Sequence, residues 1–532
     1  MHPPATTLGS IEIEVFRHLF TALAEEMGAT LRRAGSSPNI KERRDYSCAL
    51  FSPGGTLVAQ GDHMPVHLGA LPMSVAATLR ALGPLAPGDV AILNDPYEGG
   101  THLPDITMVA PAIHPASGTR LGYVAARAHH ADVGGMTPGS MPIAREIFQE
   151  GLRIPPVHLI REGRRVPETW RLLLANVRTP AEREGDLDAQ LGALEVGIRR
   201  LGEMADRRGA ESILSAQSEL VAYGDRLVHE GIRRIPAGRW TADDQLDSDG
   251  MGTESIPIRV ELSTDGERIR LDFTGSGEQA AGGVNAVAAV TSSAARYVLR
   301  CVVEDLLGTD LPAGGGSMSA MELVLPEGSI VNASPPAAVA AGNVETSQRI
   351  TDVLFQAFAL ALPDRIPALS QGTMNNMTIG GLDPRTGRHF AYYETVGGGM
   401  GAGPRASGLS GVHTHMSNTM NTPIEALEHT YPVRVLRYAI RRGSGGKGLH
   451  RGGDGLRRDV QLLAPAEVTL LSERRRQGPR GARGGEDGAV GENVLIRGTR
   501  ATALADKVTF RCEAGDVVSI RSPGGGGWGV GR

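Results

Sequence analysis

Apolar residues first recur at helical spacing between Ser10 and the turn Gly35-Ser36-Ser37-Pro38, where Val15, Leu19, Leu23, Met27 and Leu31 stand four apart. That spacing lines one face and predicts an amphipathic helix with the face buried. The pattern then becomes extended. Cys48-Ala49-Leu50-Phe51, the turn Pro53-Gly54-Gly55 and Thr56-Leu57-Val58-Ala59 predict a hairpin, with Asp45 just before it. Between residues 89 and 131 the segments DVAILND, DITMVAPAI and LGYVAARAHHA read as strands separated by Pro/Gly turns, and their polar residues collect at the ends.

Helical spacing returns from Asp186 to Met204, where Leu187, Leu191, Leu194, Ile198 and Leu201 alternate four and three apart, and again over about 210–235. Such seams suit packing on another helix. Residues 254–332 read as a hairpin over 256–273, the loop Thr274-Gly275-Ser276-Gly277 and a helix over 286–307; a further helix follows Gly342 and ends at Pro363. Beyond about residue 430 glycine and arginine dominate, with short β runs such as VTLLSER and VVSIRS. The expected fold class is α+β (mixed α/β): a multi-lobed body with an N-terminal α/β region over 1–235, a central mixed region over 236–430 and a Gly/Arg-rich β lobe over 431–532.

Composition narrows the function. A formal net charge of -5 with 21% charged residues describes an ordinary globular protein and argues against a nucleic-acid binder, which needs a basic face to release counterions. The opening MHPPATTLGSIEIEVF has no basic stretch followed by an apolar core, and no run of about 18 apolar residues occurs, so a cytoplasmic protein is expected. The cysteines Cys48, Cys301 and Cys512 are widely separated and form no CxxC pair, so any metal must be held by oxygen and nitrogen. The 71 glycines imply many turns and close backbone approaches.

Two GxGxxG patterns, at Gly443, Gly445, Gly448 and at Gly524, Gly526, Gly529, neither follow a strand nor open a helix as a dinucleotide site requires. In so glycine-rich a chain they are expected at random. GxxxxGK[ST], HExxH and GxSxG are all missing, so ATP, if used, is bound elsewhere.

Asp95, His102, Asp105, His129, His130 and Asp132 all fall at or near strand ends within 38 residues of a chain with 15 histidines. Strand ends are where rigid scaffolds place reactive groups, and imidazole with carboxylate suits a divalent ion such as Zn or Mn. The same residues also serve as hydrogen-bonded core groups. Spacing does not choose between His129 and His130, because neighbours on a strand point to opposite faces.

The stretches KERRDYSCALF, NDPYEGGTHLPDIT, AHHADVGGMTPGS, GNVETSQRITD, SQGTMNNMTIGG, ETVGGGMGAGPRA, GVHTHMSNTMNTPIEALE, RGGDGLRRD and LLSERR occur in this order almost end to end, and in them the chain resembles the hydantoinase B/oxoprolinase family. The resemblance implies a metal held by Asp45, His102, Asp105 and His129. Some relatives carry tryptophan where this chain has His130. It implies the metal-binding subunit of an ATP-dependent enzyme that opens a hydantoin, 5-oxoproline or lactam ring. The partner is a kinase-fold subunit carrying ATP and Mg, in a hetero-oligomer such as an (αβ)2 tetramer.

Asp132, His130 and His415 are the candidates for proton transfer, with Asp132 alternatively fixing the tautomer of a ligand histidine. Asn375, Asn376, His413 and Asn418, with Asn421 nearby, are candidate substrate-side groups, since amides both donate to and accept from a ring bearing C=O and N–H. Glu345 and Gln348 share that ambiguity at a helix start, where Glu345 also complements the dipole. Arg434, Arg437, Arg441, Arg442, Lys447 and Arg451 would steer an anion or form a solvated or partner-contacting face. Three other readings compete: a subunit of an acetone/acetophenone-type ATP-dependent carboxylase, a non-catalytic scaffold with a closed structural metal, and an amidohydrolase needing no ATP.

Overall fold

The computed structural model describes residues 9–312 and 319–531. The first eight residues, half of the opening read above as lacking a leader pattern, lie outside them. The expected amphipathic helix is Ser10–Ala34, and the expected hairpin is Tyr46–Phe51 with Leu57–Gln60. That hairpin edges a seven-stranded antiparallel sheet in the order Leu57–Gln60, Tyr46–Phe51, Arg120–His129, Asp105–Ile113, Val90–Leu93, Val157–Arg161, Arg164–Arg165.

Side chains alternate along each strand, so the two faces of this sheet bury different sets. Val124, Ala126 and Ala128 join one core with Met27 of Ser10–Ala34 and Leu187 and Leu194 of Pro180–Arg208. Tyr123 and Ala125 join another with Leu71 and Val75 of the helix Pro65–Leu82. This last helix has few polar residues and therefore no amphipathic signature; Pro65 opens it, where a missing N–H costs nothing.

Layers then stack outward. Pro65–Leu82 packs on Ala288–Leu307, which packs on Ser347–Ala361, and the latter covers a four-stranded sheet ordered Met321–Val324, Ile269–Asp272, Glu254–Thr264, Gly238–Ser248. A π-helical turn, Gly342–Thr346, precedes Ser347–Ala361. The C-terminal part is a sandwich of a four-stranded sheet (Arg388–Glu394, Asn376–Asp383, Ala466–Leu471, Lys507–Cys512) and a five-stranded sheet (Val433–Arg441, Gly455–Leu462, Val517–Arg521, Glu492–Arg497, Arg500–Leu504), with Met377, Ile379, Val460, Val468 and Val518 in a shared core. Among the described residues no helix is long and apolar enough to cross a membrane.

A buried ionic network ties these parts together. Arg349 reaches Asp244 at 3.2 Å and Glu473 at 3.0 Å, Arg474 reaches Asp244 at 2.8 Å and Asp352 at 2.5 Å, and Lys507 reaches Glu473 at 2.6 Å. Because each ion is buried, removing one partner strands the others. The network therefore fixes the 347–361 helix, the 238–248 strand and the sandwich relative to one another.

The glycine runs have a packing cause rather than a random one. Residues 524–527 thread between other chain segments, with Gly525 N–H donating to Gly453 O at 2.9 Å, Gly526 N–H to Leu369 O at 2.9 Å and Gly527 N–H to Glu486 O at 2.8 Å. A Cβ on Gly525 would stand 2.1 Å from Met400 O, so backbone occupies the place of a side chain. Gly525→Ala is expected to destabilise the protein by about 3 kcal/mol in denaturant unfolding. Gly192→Ala, in the interior of helix Pro180–Arg208 with no atom within 4 Å, is expected to be neutral or to stabilise by up to about 1 kcal/mol.

Candidate metal centre

Three elements of the seven-stranded sheet converge at one end. Asp45 immediately precedes the strand Tyr46–Phe51, and its carbonyl accepts His129 N–H at 3.0 Å, which holds the end of Arg120–His129 against it. His102 lies in the loop entering Asp105–Ile113, a loop pinned by Asn94 Nδ2 donating to Leu103 O at 2.8 Å. Asp105 opens that strand and pairs in register with His129. His129 follows Ala125 and Arg127 onto the face covered by Pro65–Leu82, which brings in His67 from that helix's first turn.

Asp105 is the hub. Its Oδ1 is 3.0 Å from His102 Nε2 and 3.2 Å from His129 Nδ1; its Oδ2 is 3.2 Å from His67 Nε2 and accepts Thr101 Oγ1 at 2.6 Å. Asn343, from the π-helical turn, donates to the same Oδ2 at 3.5 Å. His67 Nε2 is 3.9 Å from Asp45 Oδ1, and its Nδ1 meets Ser47 Oγ at 3.2 Å. The His129 ring stacks on Tyr393 with centroids 4.3 Å apart. Asp45, His67, Asp105, His129, Asn343 and Tyr393 line a cavity of about 240 Å³ shared with Thr395, Ser417 and Thr419.

Burial alone would raise the Asp105 carboxyl, but the imidazoles of His102, His67 and His129 hold it well below the usual carboxylate range. Burial pushes the His129 imidazole down, against the pull of Asp105. An ionised carboxylate beside a neutral imidazole is the protonation state a metal site needs. His102, Asp105 and His129 each offer a ligand atom within 4.8 Å of the others. Both ring nitrogens of His102 and Nε2 of His129 are buried without a protein hydrogen-bond partner, although His102 Nε2 closely approaches Asp105. Imidazole nitrogens crowding a carboxylate off hydrogen-bonding lines suit coordination to a common ion, and the N/O set fits Zn or Mn.

The other candidates lie elsewhere. His130 faces the opposite side of the sheet, where its Nε2 meets Gln190 Oε1 at 2.9 Å; the Gln190 amide is oriented by Ile106 O and Ala126 O. Burial, with Arg183 nearby, pushes His130 down to about 4. Asp132 pairs with Arg178 at 2.9 Å and accepts Gly134 N–H, and Asp95 pairs with Arg153 at 3.2 Å. His415 packs on Phe355 and Tyr297, with centroids 5.2 Å and 5.9 Å away. Asn375 Nδ2 donates to Gln371 Oε1 and Val396 O, Asn376 Nδ2 to Glu345 Oε1, Gln348 Nε2 to Thr414 O, and Asn418 Nδ2 to His63 O. Asn421 Nδ2 donates to Thr395 O, behind the cavity. His413 Nδ1 is 3.0 Å from Ser417 Oγ, on the cavity wall. Most of the arginine-rich stretch follows the exposed strand Val433–Arg441, where Arg441 pairs with Glu492; farther on, Arg451 pairs with Asp454.

His67, Asn343, Tyr393 and Arg43 were not among the sequence candidates. A histidine inside the otherwise apolar run PVHLGALPM was the available signal for His67. For the other three no local signal exists.

A mixed α/β body holding a buried histidine–carboxylate centre at a sheet end is the class that fold and site define. The family model for hydantoinase B/oxoprolinase matches residues 9–530, and the chain belongs to that family. An uncharacterised protein of Methanocaldococcus jannaschii is 39% identical over 98% of this chain and 91% of its own length. The 5-oxoprolinase 1 of Arabidopsis thaliana is 40% identical over 98% of this chain, which spans only 42% of that longer protein. Among solved structures, the ATP-dependent caprolactamase from Pseudomonas jessenii superposes with a TM-score of 0.89 at 28% identity, covering 99% of this chain and 92% of that one.

The segment bearing Asn343 is itself anchored by a buried carboxyl. Glu150 Oε1 accepts Val339 N–H and Ala340 N–H, each at 2.8 Å, and burial raises its pKa from 4.5 to about 8. A group raised in the folded state stabilises fully below its unfolded pKa, and that contribution is lost as pH climbs through the folded value. Wild type is therefore expected to lose about 3 kcal/mol between pH 5 and 8 that Glu150→Gln retains, read from denaturant unfolding at both pH values.

Proposed function

We propose that this chain is the metal-binding part of an ATP-dependent cyclic amide hydrolase, opening a hydantoin, 5-oxoproline or lactam ring with a kinase-fold partner. One observation carries the reading: His102, Asp105 and His129 present ligand atoms within 4.8 Å of one another in a buried site, inside a family whose members include a 5-oxoprolinase and a caprolactamase. The match to less than half of the longer 5-oxoprolinase supports a partner, because the remainder of that protein must be supplied here by another chain. No ATP-binding loop was found in the sequence, so ATP and Mg belong on that partner.

Asp45, His102, Asp105 and His129 would hold one Zn or Mn ion. When bound, such an ion polarises a carbonyl or makes hydroxide available near neutral pH. The chain's own residues do the rest. Thr101 and Asn343 fix Asp105 Oδ2, and Tyr393 fixes the plane of the His129 ring. The buried cavity limits water, which strengthens every polar contact inside it. Thr395, Ser417 and Thr419 offer hydroxyls that both donate and accept, matching a ring C=O and N–H. Proton transfer falls to His67, which lines this cavity, whereas His130, Asp132 and His415 do not.

The test is to co-purify the chain with its kinase-fold partner and assay ring opening of 5-oxoproline, hydantoins and lactams with and without ATP. His102→Ala is expected to lose its bound metal by elemental analysis together with at least ~100-fold of the ATP-dependent turnover. Full metal and full activity in that variant would refute the site. His67→Phe is expected to bind metal about 10–100-fold more weakly and to flatten the pH–rate profile, since a ring is lost that orients Asp105.

A further inference from the structure

The cavity beside the metal centre has a second wall of different chemistry. Arg43 is fully buried, its guanidinium 4.6 Å from the centroid of the Tyr393 ring. Its Nη1 donates to Tyr393 O at 3.1 Å, and its Nη2 donates to Thr395 Oγ1 at 2.8 Å and Thr419 Oγ1 at 3.5 Å. Its Nε has no protein partner, and the carboxylate recorded near it is Asp45, at 4.0 Å. Asp45 is also a proposed metal ligand, so the guanidinium has no carboxylate to itself.

The hydroxyls follow from that charge. Thr395 Oγ1 and Thr419 Oγ1 are 2.8 Å apart, and both accept from Arg43. A hydroxyl that accepts from a cation turns its own hydrogen away from it. One hydrogen joins the two oxygens and the other is left to point outward. His413, pushed down to about 3 by burial and the Arg43 charge, stays neutral behind Ser417 and Thr419. No anion stands on this side, so the wall presents hydrogen-bond donors backed by a positive charge.

Charge balance points the same way. Asp45 and Asp105 together neutralise one divalent ion, which leaves Arg43 as the uncompensated buried charge. Burying a lone charge is costly unless it is paired. We propose that Arg43, with the hydroxyls of Thr395 and Thr419, forms an oxyanion subsite adjoining the metal centre, taking one carboxylate or phosphate group of a small molecule. The cavity of about 240 Å³ restricts that group to a few atoms beyond the anion. This rests on the functional reading above and deepens it: the molecule presented to the metal carries an anionic oxygen, whether its own carboxylate or a phosphoryl group received from ATP.

The test uses the full chain loaded with Mn(II), with inorganic phosphate and acetate as separate probes. Paramagnetic relaxation of the phosphate 31P and acetate 13C signals reads the anion, and Mn stoichiometry reads the metal site. A saturable enhancement is expected in wild type, weakened at least 10-fold in Arg43→Met and partly restored in Arg43→Lys, with Mn stoichiometry unchanged. Enhancement by phosphate alone identifies a phosphoryl group as the ligand, and by acetate alone a carboxylate. Wild-type affinity for both probes in Arg43→Met overturns the subsite while leaving the metal reading intact, as does Mn uptake with no anion effect in wild type. A chain that takes up no Mn overturns both. Should Arg43→Met fail to fold or lose Mn, the double variant Thr395→Val with Thr419→Val must show the same 10-fold loss, and wild-type affinity there sinks the proposal.

Discussion

An ionised aspartate sealed in the interior is the constraint on which this structure turns. Asp105 is fully buried, and a carboxylate removed from water persists only if its oxygens are paired. Here the pairing comes from His102 and Thr101 in its own loop, His129 on the neighbouring strand, His67 on the helix crossing that face and Asn343 from more than 200 residues away. Each donor belongs to a different element, so satisfying one carboxylate locks five pieces of chain together. Displacing any of them leaves a buried charge exposed to the cost of desolvation.

Precision at that point depends on distant rigidity. The π-helical turn that delivers Asn343 is held from behind by Glu150 through the Val339 and Ala340 amides, and Tyr97 Oη donates to Ala337 O at 2.5 Å. The helix leading away from the turn carries Arg349, clamped between Asp244 and Glu473. Glu473 N–H in turn donates to Thr373 Oγ1, beside the loop that places Met374 on the cavity. The glycine-packed layer adds stiffness of another kind, since interlocked backbones have no side-chain rotamers to adjust. A site whose ligands must stay within a few tenths of an ångström of one another benefits from both.

Much of the fold was legible from periodicity. The seam expected over 186–204 is part of Pro180–Arg208, that over 210–235 is Ala210–Arg233, and the strands expected between 89 and 131 are Val90–Leu93, Asp105–Ile113 and Arg120–His129. These elements have one wet side or sharp Pro/Gly boundaries, so their patterns are local. Pro65–Leu82 escaped because it is covered on most sides and carries few polar residues. The pairing of 376–381 with 466–471 has no local signature either, because register across so long a separation is set by packing.

The sequence by itself determined the donor types, their concentration at strand ends between residues 95 and 132, and the rule that His129 and His130 must face opposite ways. Membership of the family, visible in ordered blocks, named Asp45, His102, Asp105 and His129. Only the tertiary structure decided which face of the sheet became the site, because alternation fixes that neighbours differ but not what covers either side. The helix Pro65–Leu82 covers the His129 side and brings His67, while Pro180–Arg208 covers the His130 side and brings Gln190. Arg43 and Thr419, 376 residues apart, meet for the same reason: contacts at such separations are made by packing, which no local pattern records.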